Sequence, residues 1–148
     1  LHDLRTRRMA HQALVDAHVL VDARISVSEG HRIAESARAG VLREHHDVLD
    51  VLVHIDPEDD LDPDLAAAGL PSREALLEEL ADLLVTLPTP EHVVLHYLGG
   101  RVEVEVFLAH DVFADISALR STEAALAERI KDHPAIRSIS LNFRIAPE

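Results

Sequence analysis

The segment VLVHIDP, residues 51–57, combines the alternation of a β-strand with two polar side chains. Successive side chains of a strand point to opposite faces, so its valines and isoleucine share one face, and His54 and Asp56 share the other. Pro57 cannot donate to a sheet hydrogen bond and ends the strand. The segment therefore predicts a strand with an apolar core face and a second face that presents His54 and Asp56.

Three more elements are predicted ahead of this strand. LVDAHVLVD, residues 14–22, also alternates, and it places His18 on its polar face. Helical spacing of apolar residues follows in residues 27–45, with Ser26 as the N-cap and a glutamate three residues later completing a capping box. LHDLRTRRMAHQ, residues 1–12, predicts an earlier strand. The first part of the chain thus predicts the order strand, strand, helix, strand.

The second half of the chain predicts a similar order with an additional leading helix. Leucines at helical spacing run through residues 72–87, with Ser72 as the N-cap. Two alternating runs flank Gly99-Gly100, a pair typical of a two-residue hairpin turn. A helix in residues 115–133 and a strand in residues 135–145 complete the order helix, strand, strand, helix, strand.

The repeated order predicts an α+β fold of two tandem ferredoxin-like units, with helices on one face of small antiparallel or mixed sheets. The first unit comprises residues 1–58 and lacks the leading helix, and the second comprises residues 72–148. Residues 59–71 are rich in acidic residues, proline and glycine, and we interpret them as a linker.

The composition narrows the classes of function. With 148 residues, of which 47% are hydrophobic, the chain is large enough to form a core, and its longest apolar runs are far shorter than a membrane span. A formal net charge of −13 disfavours nucleic-acid binding and favours cations. Because there is no cysteine, disulfides and thiolate ligands are excluded, and any metal must be held by nitrogen and oxygen.

His54 and Asp56 are candidate metal ligands because residues two apart on a strand have Cβ atoms about 7 Å apart on one face. If the strand that carries His18 pairs on that face, a nitrogen and oxygen cluster of the kind Zn²⁺ accepts is assembled. His31, near the start of the helix, is a further candidate, from the same or another subunit. The alternative for each histidine is a solvated surface position. No nucleophile motif or phosphate loop accompanies these residues, so we predict that the chain is not an enzyme.

Four short motifs resemble a known family. HDLRTR (residues 2–7), VDAHVLVD (15–22), SVSEGHRIAE (26–35) and DVLVHIDP (50–57) follow in the order and spacing of the cytoplasmic C-terminal domain of cation diffusion facilitator (cation efflux) transporters. The resemblance covers residues 1 to about 58.

This resemblance implies a metallochaperone-like, ferredoxin-like domain that forms a homodimer on the cytoplasmic side of the cell membrane, attached to a transmembrane transport domain. It implies a divalent metal ion, Zn²⁺ or another such as Mn²⁺, Fe²⁺, Co²⁺ or Ni²⁺, and it implies neither nucleic acid nor catalysis. Carried over position by position, the metal ligands it implies are His2, His18, His31, His54 and Asp56.

The second unit is not explained by the resemblance. Aligning the two units on their last strands sets His54 and Asp56 against Leu141 and Phe143, and His18 against Glu105. We therefore expect the second unit to have a packing role without metal ligands. Two alternatives to a metal-regulated domain remain: a structural dimerisation module that uses no metal, and a small-molecule sensor with a ligand near Gly99-Gly100.

Overall fold

The computed structural model describes residues 1–59, 69–85, 87–109 and 116–144, and these contain six strands and three helices. The chain divides into two compact units, residues 1–63 and 64–148. Most of the predicted linker, residues 60–68, lies outside the described residues.

The first unit is a three-stranded mixed sheet with one described helix. Its elements are β1 (Asp3–Met9), β2 (Gln12–Leu20), α1 (Val27–Glu44) and β3 (Val48–Asp56). The strand order is β1-β2-β3, with β1 antiparallel and β3 parallel to the central strand β2. A parallel pair needs a crossover connection, and α1 provides it.

α1 begins at the predicted cap. The Ser26 hydroxyl accepts a hydrogen bond from the Glu29 amide at 3.1 Å, which satisfies one of the free amides of the first turn. Gly30 is buried, and a Cβ atom placed on it would lie 3.2 Å from Cγ2 of Ile55. The helix therefore approaches β3 closely at this glycine, on the face opposite His54 and Asp56.

The second unit contains the same arrangement and one more helix. Its elements are α2 (Arg73–Leu83), β4 (His92–Leu98), β5 (Arg101–Ala109), α3 (Ile116–Ile130) and β6 (Ile136–Arg144). The strand order is β4-β5-β6, again antiparallel and then parallel. The predicted turn at Gly99-Gly100 is confirmed, and both glycines have positive φ. The α+β fold of two tandem ferredoxin-like units is therefore confirmed.

The two units differ in their cores. A cluster of buried apolar side chains fills the second unit. These side chains come from α2 and the residue after it, from alternate positions of β5, from α3, and from β6 and the residue before it (Leu76, Leu80, Leu84, Val102, Val104, Val106, Leu108, Leu126, Ile130, Ala135, Ile136, Leu141). Among the described residues of the first unit, the buried apolar side chains are Ala17 and Val51. Leu4 on the edge strand β1 is 54% exposed. Of the described helices, only α1 belongs to the first unit, whereas the second has two.

The sheet registers correct the predicted alignment of the two units. The hairpin pairs Met9 with Gln12 in the first unit and Leu98 with Arg101 in the second, and equivalent bulges follow in both parallel pairs. Counting from these points, His18 corresponds to Phe107 and not to Glu105. His54 and Asp56 correspond to Asn142 and Arg144, whereas the predicted equivalents Leu141 and Phe143 pack in the core. For His54 and Asp56 the prediction was wrong by one residue, which changes the face of the strand, and for His18 it was wrong by two residues, which keeps the face.

None of the helices in the described part of the chain combines the length and the apolar character that crossing a membrane requires.

The close approach of α1 to β3 predicts different effects of alanine at its two glycines. Gly40→Ala is expected to stabilise the protein by up to about 1 kcal/mol, because alanine is the better helix former and nothing lies within 4 Å of the new Cβ. Gly30→Ala gains the same helix propensity but presses on Ile55, so it is expected to be less stable than Gly40→Ala. Urea unfolding of both variants measures the difference, and equal free energies of unfolding would contradict the close approach.

Candidate metal site

Three side chains of the first unit converge on the sheet face that α1 leaves open. Oδ2 of Asp56 lies 2.9 Å from Nε2 of His2 and 2.8 Å from Nδ1 of His18. One ligand atom from each of these three residues lies within 4.8 Å of the other two. In the part of the chain that the structure describes, this is the group whose spacing suits a metal ion.

The backbone brings these residues together from three places in the sequence. His2 stands directly before β1, and its amide donates to the His18 carbonyl oxygen at 3.1 Å, which extends the antiparallel ladder by one residue. Asp56 ends β3, next to Leu20 of β2 and two residues beyond the His18–His54 pair. The parallel register therefore aligns the end of β3 with the beginning of β1 on either side of β2.

The cluster is largely covered. The side chains of Asp56, His2 and His18 are 10%, 15% and 26% exposed. Burial by itself would raise the pKa of the Asp56 carboxyl, but the hydrogen bonds from His2 and His18 outweigh it, so this pKa lies below its usual value. Asp56 is therefore an ionised carboxylate near neutral pH, held by two imidazoles.

His2 responds in the opposite direction. Its hydrogen bond to Asp56 raises the pKa of the imidazole above the ordinary 6.5, against the effect of partial burial, and the nearby Asp59 adds to the rise. Without a metal, a proton on His2 is thus stabilised by the carboxylates around it.

The donor set fits a divalent transition-metal ion. Nε2 of His2 and Nδ1 of His18 both point at one oxygen of Asp56. In the metal-free protein, protons on these nitrogens lie between the imidazoles and the Asp56 oxygen. When the imidazoles give up these protons, a cation can take their place. Two imidazole nitrogens and one carboxylate oxygen suit Zn²⁺ and several other ions of the first transition series. Because Asp56 has little solvent around it, its negative charge favours a bound cation that balances it.

The structure brings three of the five predicted ligands together and places the other two beside or across the sheet. The His54 ring is stacked on the His18 ring, with 4.5 Å between centroids and an interplanar angle of 12°. His54 is exposed and lies outside the three-residue group. His31 is exposed on α1, at the wall of a cavity of about 450 Å³ on the helix side of the sheet.

Asp59 is a residue of this site that sequence reasoning missed. Its Oδ1 lies 3.1 Å from Nδ1 of His2, the ring nitrogen that does not face Asp56. The only signal in the sequence is an acidic residue three positions after Asp56, in a segment where acidic residues are frequent.

Two histidines of the second unit are also largely covered. The side chains of His96 and His133 are only 16% and 18% exposed. Nδ1 of His133 accepts hydrogen bonds from the amides of Ala135 and Ile136, so this histidine closes the turn before β6. His96 lies 3.3 Å from the carboxylate of Glu105. Neither belongs to the candidate metal site.

Comparison with protein families agrees with this geometry. Residues 1–58 match the family described as the cytoplasmic domain of cation efflux proteins. The match spans nearly all of the first unit, which is therefore similar to this family. The match confirms the resemblance seen in the sequence motifs and contains all five predicted ligands. It ends before Asp59 and does not include the second unit.

Two named proteins are similar to part of the chain. The chain is 39% identical over 56 residues to metal tolerance protein C1 of Arabidopsis thaliana, which covers 38% of this chain and 12% of that protein. It is 33% identical over 54 residues to the manganese efflux system protein MneP of Bacillus subtilis (strain 168), which covers 36% of this chain and 18% of that protein. The chain therefore matches less than a fifth of the length of either relative.

The raised pKa of His2 predicts a measurable effect of Asp56 in the metal-free protein. In Asp56→Asn, the His2 pKa is expected to fall towards 6.5, because the ionised acceptor is lost. NMR titration of the imidazole resonances measures this fall. Asp50→Asn is the control, since it removes the same charge from β3 while its partner is Arg38. An unchanged His2 pKa in Asp56→Asn would contradict the contact.

The same pKa shifts set how pH affects the stability of the metal-free first unit. A raised His2 pKa stabilises the fold fully below about pH 6.5, and this contribution is lost as pH rises through the folded value. Because the Asp56 pKa is lowered, this carboxylate stabilises the fold above about pH 4, and that contribution to stability is lost as pH falls through the folded pKa. We therefore expect the pair to stabilise the metal-free protein most between about pH 4 and 6.5, as thermal unfolding of wild type and Asp56→Asn across pH would measure.

Proposed function

We propose that the first unit is the metal-binding regulatory and dimerisation domain of a divalent cation efflux transporter. In this proposal the domain lies on the cytoplasmic side of the cell membrane, attached to a transmembrane transport domain. The observation that carries the proposal is the convergence of His2, His18 and Asp56 on one largely covered position, within a unit similar to the cation efflux family.

The proposed ligands are the three converging side chains, joined by His54 and His31. His54 is included because its ring is stacked on the ring of His18 at the edge of the cluster. His31 lies on the α1 side of the sheet, while the cluster lies on the open side. It therefore serves the same ion only if it comes from a second copy of the chain.

Dimerisation through the open sheet face is supported by its apolar residues. Leu20 and Leu52 are 49% and 56% exposed on the face that carries His18 and His54. Covering large apolar side chains stabilises an interface, and a partner placed here would lie next to the metal ligands. Metal binding and association of two copies would then be thermodynamically linked, because the ion binds the associated state more tightly.

The regulatory effect follows from charge. Without metal, the ionised Asp56 holds the two imidazoles by hydrogen bonds; with metal bound, these three groups become ligands and the local negative charge is balanced. A difference in metal affinity between open and closed arrangements of two copies is what would bias the attached transport domain.

Zn²⁺ is the first candidate ion, because the donor set contains several imidazoles and no sulfur. Mn²⁺ is the second, because one relative is named a manganese efflux system protein. Mn²⁺ prefers sites made mainly of oxygen ligands, whereas imidazole nitrogens suit Zn²⁺. The ligand chemistry of this chain therefore favours Zn²⁺.

A metal-independent dimerisation module is the second candidate function. It is supported by the hydrogen bonds that Asp56 already makes with His2 and His18, since they stabilise the cluster without an ion. For the small-molecule sensor, the hairpin turn offers less support: the Arg137 guanidinium donates to the Gly99 carbonyl oxygen at 3.1 Å and covers one side of the turn.

Metal binding is tested by calorimetric titration of the metal-free protein with Zn²⁺ and Mn²⁺ at pH 7.5. We expect one site, with tighter binding of Zn²⁺. Loss of a residue that only hydrogen-bonds a metal ligand lowers metal affinity by roughly 10- to 100-fold. Loss of a ligand should lower it further, so His18→Gln and Asp56→Asn are expected to weaken binding by about 100-fold or more. His46→Ala removes an exposed histidine beyond α1 and should bind like wild type. Equal binding by all variants would exclude this site.

Dimerisation is tested by sedimentation velocity with and without Zn²⁺. We expect the ion to shift the protein from monomer to dimer. His31→Ala should lose this shift while still binding metal, because the proposal places His31 in the partner's site. A dimer of equal strength with and without metal would favour the metal-independent module.

A further inference from the structure

The two ring nitrogens of His2 face two different carboxylates. Nε2 lies 2.9 Å from Oδ2 of Asp56, and Nδ1 lies 3.1 Å from Oδ1 of Asp59. The ring nitrogens of an imidazole point in diverging directions, so Asp59 lies on the far side of the ring from the position shared by His2, His18 and Asp56. Asp59 is therefore beside the candidate ligand and not among the converging ligand atoms.

The two carboxylates compete for the one proton of a neutral imidazole. If the proton is on Nε2, it is donated to Asp56, and the lone pair needed by a metal is on the wrong nitrogen. If the proton is on Nδ1, it is donated to Asp59, and the Nε2 lone pair points to the converging ligand atoms. The identity of the acceptor beyond Nδ1 thus decides which nitrogen is free.

We propose that Asp59 is a positioning residue for metal binding: it accepts the N–H of His2 Nδ1 when the ion binds, so that the Nε2 lone pair is free for the ion. The inference rests on the proposed function of the first unit. Metal-binding histidines in proteins generally donate their other N–H to a carboxylate, a carbonyl or water, and loss of that acceptor lowers metal affinity.

The location of Asp59 distinguishes this role from a contribution to the fold. It lies after Pro57, beyond the end of β3, and its side chain is 56% exposed. An exposed ion pair contributes little to stability. The partner His2 is in contrast mostly covered, with its side chain 15% exposed, so few other acceptors can reach Nδ1 from solvent. Removal of Asp59 should therefore leave the fold intact and change the chemistry of His2.

Three variants of the full chain test the inference. Asp59→Ala removes the acceptor, and Asp59→Asn keeps an acceptor oxygen without the charge. Asp16→Ala is the charge control: Asp16 is two residues from His18 on the same face of β2, and the variant removes the same charge without removing a partner of His2. Circular dichroism and thermal unfolding establish that each variant is folded.

The measurements are the calorimetric affinity for Zn²⁺ and long-range ¹H–¹⁵N NMR spectra of the His2 imidazole, which report the tautomer. Asp59→Ala is expected to weaken Zn²⁺ binding by about 10- to 100-fold. In the metal-free wild type above the His2 pKa, the Nε2–H and Nδ1–H tautomers of His2 are expected to share the population, and in Asp59→Ala the Nδ1–H share should fall. Asp59→Asn should recover part of the affinity and of the Nδ1–H population, and Asp16→Ala should change affinity by much less.

Each outcome decides the inference. If the wild type binds Zn²⁺ and Asp59→Ala binds as tightly, or keeps the wild-type share of the Nδ1–H tautomer, Asp59 does not position His2, and the proposed metal site still stands. If Asp16→Ala loses as much affinity as Asp59→Ala, the effect is one of general charge, and the inference is overturned. If the wild type binds neither Zn²⁺ nor Mn²⁺, the proposed function fails and takes the inference with it.

Discussion

The need to satisfy one buried carboxylate constrains the arrangement of the first unit. Asp56 is the buried charged residue among the described residues, and an ionised group in that position is costly unless hydrogen-bond donors surround it. His2 and His18 supply those donors, from the beginning of β1 and the middle of β2. The sheet must therefore keep its register at all three strands for the charge to be satisfied. The arrangement that stabilises the metal-free protein is also the one that gathers the candidate ligands.

The second unit shows what the same backbone becomes without this constraint. Its hairpin, its bulge and its strand order correspond to those of the first unit. At the positions of His18 and His54 it has Phe107 and Asn142, and at the position of His2 it has Glu91, whose amide makes the equivalent bond to Phe107. Its stability comes instead from a continuous apolar core that includes α2. One topology thus supports a polar cluster in one unit and a conventional core in the other, which agrees with the rule that function resides in a site and not in a fold.

The two faces of the first sheet differ: one packs against the helix and the other carries the candidate metal ligands. α1 covers one face and approaches β3 at Gly30, and the other face carries the histidines beside exposed leucines. Because His31 and the cluster lie on different faces, the set of ligands implied by family resemblance does not form within one chain. Asp59 adds to the site a residue from beyond the end of β3. The chemistry of the site therefore depends on residues beyond those that converge in space.

The alternation of residues 14–22 and 51–57, the caps at Ser26 and Ser72 and the turn at Gly99-Gly100 were readable from sequence, because strand period, helix capping and glycine conformation are local properties. They were sufficient for the fold and for the face that carries His18, His54 and Asp56. Register between strands is not local, so the alignment of the last strands of the two units was wrong by one residue and therefore by a face, and that of the central strands by two residues. For the same reason only the tertiary structure decided that His2 and His18, and not His54, contact Asp56, and that Asp59 faces the second nitrogen of His2.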